Sequence, residues 1–326
     1  MEEVAKNIYR IPVRLPDNPL RELNSYLIRD PGRSLLVDTG FRHEKCKEDL
    51  LAGFADIGLD ISEVDIFLTH MHADHSGMAS SLAGAGRRIY ISEIDLSWLR
   101  NVSSVETNWD RLISTYVSAG MPEHILNNMA EINPAIKMAA IPGGDMYHTM
   151  RDRDTLQAGG YTFKCVLTPG HTPGHVCLWS EEAGLMFTGD HVLFDITPNI
   201  TAWPEVEDTL GQYLDSLAAV RDYPVKTSLP GHRKAGDFRL RVDELLEHHR
   251  IRLAEIVDIV TQNPGMNAYD ISGKMRWRIR AVSWEVFPDA QKIFAVGECV
   301  SHLDYLRLRG KISRECVDGV DYYNVV

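Results

Sequence analysis

Three histidines and an aspartate crowd into the segment His70-Met71-His72-Ala73-Asp74-His75. Imidazole and carboxylate at that density form a metal-ligand set. Neutral imidazole suits Zn, Fe and Ni, and a hard carboxylate oxygen suits a bridging or second position. The segment follows the apolar run Val64-Asp65-Ile66-Phe67-Leu68. A strand that stops abruptly aims alternate side chains, His70 and His72, at one point. The turn that follows swings Asp74 and His75 toward a second. A histidine-rich loop without metal is the bland alternative. On this chain's His and Asp content it arises by chance on the order of once per thousand such chains, and so is set aside.

Three more segments repeat the design of an apolar strand ending in a turn that presents one ligand. Phe163 to Leu167 runs into Thr168-Pro169-Gly170-His171, Gly184 to Thr188 into Gly189-Asp190, and Thr227 to Leu229 into Pro230-Gly231-His232. Glycine before the ligand lets the backbone turn sharply and approach an ion closely. The earlier strand Ser34 to Val37 ends in Asp38-Thr39-Gly40 and brings another carboxylate to the same edge.

His70-x-His72-x-Asp74-His75, then His171, Asp190 and His232, with Asp38 upstream, resembles the metallo-β-lactamase superfamily over roughly residues 1 to 235. The resemblance implies an α+β fold, an αββα sandwich with metals at one edge of its two sheets. It implies that His70, His72 and His171 bind one metal, that Asp74, His75 and His232 bind a second, and that Asp190 bridges them. Asp38 would then hydrogen-bond the ligand loop from behind. His175 reads as a hydrogen-bonded neighbour of that loop. Two divalent ions are expected, Zn by default, with Mn or Fe as alternatives. Relatives that use di-iron redox chemistry need a Glu in the ligand loop and a flavin domain, and this chain shows neither. The β-lactamases of the superfamily typically carry Cys where Asp190 stands and are secreted, which sets antibiotic hydrolysis aside. The Thr-His-x-His-x-Asp-His loop also resembles thioester hydrolases of the glyoxalase II type.

The chain's 326 residues allow one large domain, or a large and a small one. Five cysteines, Cys46, Cys165, Cys177, Cys299 and Cys316, lack a CxxC spacing and suggest a reducing compartment. The amino terminus shows no apolar signal segment, and no stretch reaches membrane-span length, so a cytoplasmic protein without a membrane partner is expected. The net charge is −12, yet residues 238–326 carry 13 basic and 13 acidic side chains. The acidic excess therefore lies in the metal-binding part, where it repels phosphate backbones and disfavours nucleic acid.

Ile8 to Val13, Asn24 to Ile28, Ser34 to Val37 and Arg87 to Ile91 read as strands, and Glu48 to Ile57 and Met78 to Gly84 as helices. Residues 93–135 read as a mostly helical insertion with Trp98, Trp109 and Tyr116, either a lid or a surface packed on the domain. Residues 194–204 read as a loop and Glu207 to Arg221 as a helix. The domains are expected to be 1–237, catalytic, and 238–326. The second carries helices at Leu240 to Thr261, Ala268 to Met275 and Asp289 to Leu308, then a hairpin turning at Asp318-Gly319. This order resembles a winged helix and the subgroup of lactamase-β-like endoribonucleases and thioesterases. Near neutrality suits a structural wall or a homodimer contact; Arg276, Arg278 and Arg280 are the feature favouring a polyanion.

Two ions sharing Asp190 bring the pKa of a shared water toward neutrality, giving a bridging hydroxide for a carbonyl or phosphoryl centre. Asp74 would orient it. Arg233 and Lys234, beside His232, are candidates for an anionic substrate group. Tyr147, His148, His191 and Asp195 are placed on loops within reach. The leading expectation is a hydrolase of a small-molecule thioester, lactone or activated ester. The alternatives are a metal-dependent ribonuclease and a non-catalytic regulator that binds nucleic acid or a partner.

Overall fold

Apolar residues on both faces of the early strands call for cover on both sides. The structure, a computed structural model, describes residues 1–326 apart from 83–85, 104–107, 133–137, 141–142, 144 and 279–282. Strands β1 (Glu2–Ala5), β2 (Ile8–Arg14), β3 (Glu22–Ile28), β4 (Ser34–Val37), β5 (Val64–Phe67), β6 (Ile89–Ser92) and β7 (Tyr147–Met150) form one sheet in that order. β1 to β4 pair antiparallel and β4 to β7 parallel. A second sheet has the order β12-β11-β10-β9-β8. Its strands are β8 (Thr155–Ala158), β9 (Tyr161–Leu167), β10 (Val176–Ser180), β11 (Leu185–Gly189) and β12 (Thr227–Pro230).

The two sheets share a core. Ile8, Tyr26, Ile28, Val37 and Phe67 cluster with Phe163, Leu178, Phe187 and Leu229. The opposite face of β2 is covered by helix Glu44–Asp56, where Gly53 leaves room for Ile11. The expected α+β sandwich of two sheets flanked by helices is therefore what the chain forms.

Strand direction brings the ligands to one edge. β4 and β5 run parallel as neighbours, with Val37 opposite Phe67, so Asp38 and the His70 loop leave the first sheet together. β11 and β12 are parallel, and β9 is antiparallel to β10, which is antiparallel to β11. All three therefore end on one side, where Leu167, Gly189 and Pro230 lead into His171, Asp190 and His232.

The chain divides into two compact units, and not at the expected position 237/238. One comprises Met1–Ser104, Pro134–Pro198 and Ser216–Val242; the other comprises Val105–Asn133, Asn199–Asp215 and Asp243–Val326. Much of the insertion thus groups with the carboxyl-terminal residues. The reason is apolar burial: Tyr116, Met121, Ile125 and Met129 share a core with Ile256, Val260, Ile271, Val296 and Leu303. Their helices are Asn108–Ser118, Glu123–Ile132, Phe238–Gln262, Ala268–Lys274 and Asp289–Leu308. Strands β13 (Met266–Asn267), β14 (Ile312–Val317) and β15 (Val320–Val325) add a small sheet of order β13-β15-β14. Its hairpin turns at Asp318 and Gly319, both at positive φ, as the dipeptide predicts. Arg280, Gly84 and the Asn133-Pro134 pair lie outside the described residues, as does the side chain of Trp109.

Candidate metal centre

The ligand segment leaves β5 as a short loop and then forms one helical turn, Ala73–Ser76, rather than an open turn. His70 and His72 lie before that helix, and Asp74 and His75 lie on it. Gly231 allows the His232 loop to close on the same place. A Cβ there would stand 2.6 Å from Asp190 Oδ1 and 2.7 Å from His75 Cε1, so no larger residue fits without moving both.

Two trios result. His70 Nε2 lies 3.1 Å from His72 Nδ1, which lies 2.9 Å from His171 Nε2. His75 Nε2 lies 3.3 Å from His232 Nε2, and that atom lies 3.3 Å from Asp74 Oδ2. In each trio, and in the set His70, His75 and Asp190, the ligand atoms lie within 4.8 Å of one another, spacing that could hold a metal ion.

The outer hydrogen bonds show what the inner nitrogens carry. His75 Nδ1 lies 2.8 Å from Asp38 Oδ2, and His232 Nδ1 lies 2.9 Å from the Glu22 carbonyl oxygen. Both partners only accept, so each Nδ1 is the protonated nitrogen and donates. In the neutral rings the two Nε2 lone pairs then face each other with no proton between them, an arrangement that a cation satisfies. The same holds at His70. Thr69 Oγ1 donates to Asp38 Oδ2 at 2.8 Å, so it accepts from His70 Nδ1 at 3.0 Å and leaves Nε2 bare.

Asp190 stands between the trios. Its Oδ2 is 3.7 Å from His171 Nε2 and 3.6 Å from His232 Nε2. Its Oδ1 is buried 3.4 Å from His75 Nε2 and, among the described residues, has no hydrogen-bond partner besides that ring. A carboxylate oxygen in such a place is costly unless a cation meets it. The donor chemistry therefore fits a pair of divalent ions.

Electrostatics separates the trios. Burial, reinforced by the neighbouring histidines, holds His70 well below the usual imidazole range, and burial takes His72 down to about 3. At His75 burial also opposes charge, but Asp190, Asp38 and Asp74 outweigh it and raise the ring well above its ordinary value. His232 is raised in the same way, against burial, by Asp190 and Asp74. Burial raises Asp74, yet His75 and His232 together bring it down to about 2.

Asp38 sits behind the ligand loop, with Oδ1 accepting the Thr69 N–H at 2.8 Å. His175 is a hydrogen-bonded neighbour. Its Nε2 accepts the Asp190 N–H at 3.2 Å and its Nδ1 meets Thr168 Oγ1 at 2.8 Å. Two of the weaker candidates fall elsewhere than expected. Tyr147 and His148 lie on strand β7, not on a loop; the Tyr147 hydroxyl meets Ser80 Oγ at 2.8 Å and the His148 side chain is exposed. His191 is fully buried, so it is closed to substrate. Asp195 and Lys234 are exposed loop residues, joined by a 3.5 Å contact from the Lys234 N–H to Asp195 Oδ2. Arg233, also exposed, donates to the Pro19 carbonyl at 3.2 Å.

Two residues that sequence reasoning missed support the ligand loops. Asn24 on β3 donates its side-chain N–H groups to the carbonyls of Pro230 at 3.0 Å and Arg233 at 2.8 Å, bracketing His232. A polar amide in the middle of a strand was the available signal. Asp95 joins the His70–His72 loop to the loop after His171. Nothing in its local sequence marks it.

A two-sheet α+β sandwich with histidine and aspartate trios at one edge defines a class of metal-dependent proteins. The metallo-beta-lactamase superfamily model matches residues 19–232, and the chain belongs to that superfamily, whose members use divalent metals. It is 24% identical over 290 residues to the beta-lactamase-like protein 2 homolog of Caenorhabditis elegans, covering 86% of this chain and 81% of that one. It is 23% identical over 232 residues to the atrochrysone carboxyl ACP thioesterase of Emericella nidulans, covering 71% of this chain and 57% of the thioesterase. Among solved structures, a metallo-beta-lactamase family protein of Thermus thermophilus superposes with a TM-score of 0.84 at 27% identity, covering 99% of this chain and 100% of that one. Among the described residues, no helix is long and apolar enough to cross a membrane.

Proposed function

We propose that this chain is a binuclear metal-dependent hydrolase of a small-molecule thioester, lactone or activated ester. The observation that carries the reading is the pair of trios whose ligand atoms cluster within 4.8 Å on either side of the Asp190 carboxylate. His70, His72 and His171 would hold one divalent ion, Asp74, His75 and His232 the other, with Asp190 shared. When bound, two such ions supply an activated water and polarise the scissile carbonyl.

The chain's own residues do the rest. His75 and His232 are fixed as Nδ1–H tautomers by Asp38 and the Glu22 carbonyl, so they enter the site without rearranging. Asp74 is the most open of the carboxylates, at 15% side-chain exposure, against 9% for Asp190 and 2% for Asp38. Water and substrate therefore meet Asp74 first, and its free oxygen can accept a proton-bearing group. Two features favour a small substrate. The metal-bearing part holds the chain's acidic excess, and one relative is named as an acyl-carrier-protein thioesterase. Zn is the preferred ion, on imidazole count. The carboxyl-terminal elements serve as a winged-helix-like wall or homodimer contact, and the protein works in the cytoplasm.

The test is elemental analysis followed by a substrate panel on the same sample. Near two equivalents of metal are expected, with turnover of acyl-pantetheine thioesters, lactones or aryl esters that a chelator abolishes. Cleavage of RNA with thioesters, lactones and esters untouched would promote the ribonuclease instead. A folded, metal-supplemented sample holding no metal would sink both.

A further inference from the structure

Asp95 lies in the first turn of helix Glu93–Ser103, which follows β6, and it is fully buried. It spans two loops remote in sequence. Oδ2 accepts the Met71 N–H at 2.9 Å and the Thr172 hydroxyl at 2.7 Å, and Oδ1 accepts the Gly174 N–H at 2.7 Å. Its own N–H donates to Ser92 Oγ at 3.0 Å, which fixes the helix end. Met71 separates His70 from His72, and Thr172 follows His171. One carboxylate thus holds the backbone between His70 and His72 and, through the Thr172 hydroxyl and the Gly174 N–H, the loop that follows His171. Gly174 makes the approach possible. A Cβ there would stand 2.3 Å from Ser92 Oγ and 2.7 Å from Asp95 Oδ1, so any side chain would push the 171–175 loop off the carboxylate.

We propose that Asp95 is a positioning residue for the tri-histidine half of the metal centre, setting His70 and His72 against His171 and so the affinity of that half alone. The inference rests on the metal-centre reading above. The physical need is plain. His72 Nδ1 lies 2.9 to 3.1 Å from the ring nitrogens of His171 and His70, and that spacing persists only if the loops that carry the rings are held from behind. Hydrogen bonds to an ionised acceptor are the stronger kind, and losing the carboxylate leaves buried donors unpaired. Asp38 performs the corresponding task for His75 through the ring nitrogen itself. Asp38 also reaches His70 through Thr69, so it backs both halves, whereas the side-chain contacts of Asp95 go to the tri-histidine loops.

Chelator competition for Zn and the d–d spectrum of Co(II) test this on metal-free wild type, Asp95→Asn, Thr172→Val and Asp38→Asn, each shown folded by near-ultraviolet circular dichroism. Asparagine keeps one acceptor and turns an N–H₂ toward a donor. It should weaken one equivalent about 10- to 100-fold and leave the other within about threefold. The Co(II) band of the weakened equivalent should shift as well. Thr172→Val should act on the same equivalent more mildly, and it carries the test if Asp95→Asn fails to fold. Asp38 meets the His75 ring directly and His70 only through Thr69, so Asp38→Asn should weaken the other equivalent most. Wild-type affinity and spectrum in Asp95→Asn, or in Thr172→Val where only that variant folds, overturn the proposal, as does equal loss at both halves. Wild-type protein that binds no metal would instead remove the reading on which it rests.

Discussion

The two trios share an edge, a bridging candidate and a ligand loop, yet they are built on opposite electrostatics. Burial has lowered the proton affinity of His70 and His72, and the Thr69 hydroxyl stands behind His70. His75 and His232 stand among Asp38, Asp74 and Asp190 and are raised. The first half offers three imidazole nitrogens, a borderline-soft set suited to Zn. The second adds a terminal carboxylate and tolerates a harder ion such as Mn. The difference teaches that one loop, His70 to His75, can serve two chemically distinct sites because a strand end and a helical turn face different partners.

Removing the shared oxygen is the most severe way to break the comparison. Asp190→Ala should cost on the order of a thousandfold in kcat/KM, about 4 kcal/mol, and one metal equivalent, because two cations at such spacing repel without an anion between them. Elemental analysis beside kinetics checks it. Two equivalents retained with full activity would remove Asp190 from the bridging position.

Acid should then separate the halves. His75 and His232 in the metal-free protein hold protons above the ordinary imidazole value, whereas His70 and His72 do not. A metal at the Asp74 half must displace protons that His70 and His72 do not carry near neutrality. Affinity at the Asp74 half therefore rises with pH and falls as pH drops through the raised histidine values. Equilibrium dialysis from about pH 8 to 5.5 should release one equivalent before the other. Simultaneous release would mean that the two halves act as one site.

A milder effect is expected at Asp38→Asn, roughly tenfold in activity, since it loses charge behind His75 and Thr69 without removing a ligand. An effect as large as that of Asp190→Ala would show that tautomer control at His75 matters as much as the bridge.

How much of this was legible follows the same divide between direct and indirect roles. The seven ligand candidates announce themselves, because His and Asp at strand ends have few other uses and strand direction then forces them together. Helix Asp289–Leu308 and the hairpin around Asp318-Gly319 were equally plain from periodicity and turn chemistry. Asn24 and Asp95 were not, because each acts on backbone across more than 70 residues of chain, contacts that no local pattern encodes. Tyr147 and His148 were misplaced because a four-residue edge strand is too short to show alternation. The division at 237/238 failed for a related reason. Composition marks where a segment changes character, but it does not say that Met121 and Ile125 find their core with Ile271 and Leu303.

The smallest expected effect concerns Arg233, which follows the ligand His232 and would lie on the Asp74 half if it met substrate. Its guanidinium already donates to the Pro19 carbonyl at 3.2 Å, and its backbone is held at φ 64. Its carbonyl accepts the Asn24 amide at 2.8 Å, so the backbone is fixed whatever the side chain does. An exposed cation on a fixed backbone contributes little beyond screened attraction, so Arg233→Ala should raise KM by less than about threefold with kcat unchanged. Measurement at low and at about 0.15 M salt separates the cases. If KM rose tenfold or more and the rise survived added salt, Arg233 would be binding an anionic substrate group directly. The Asp74 half would then carry substrate recognition as well as the second ion.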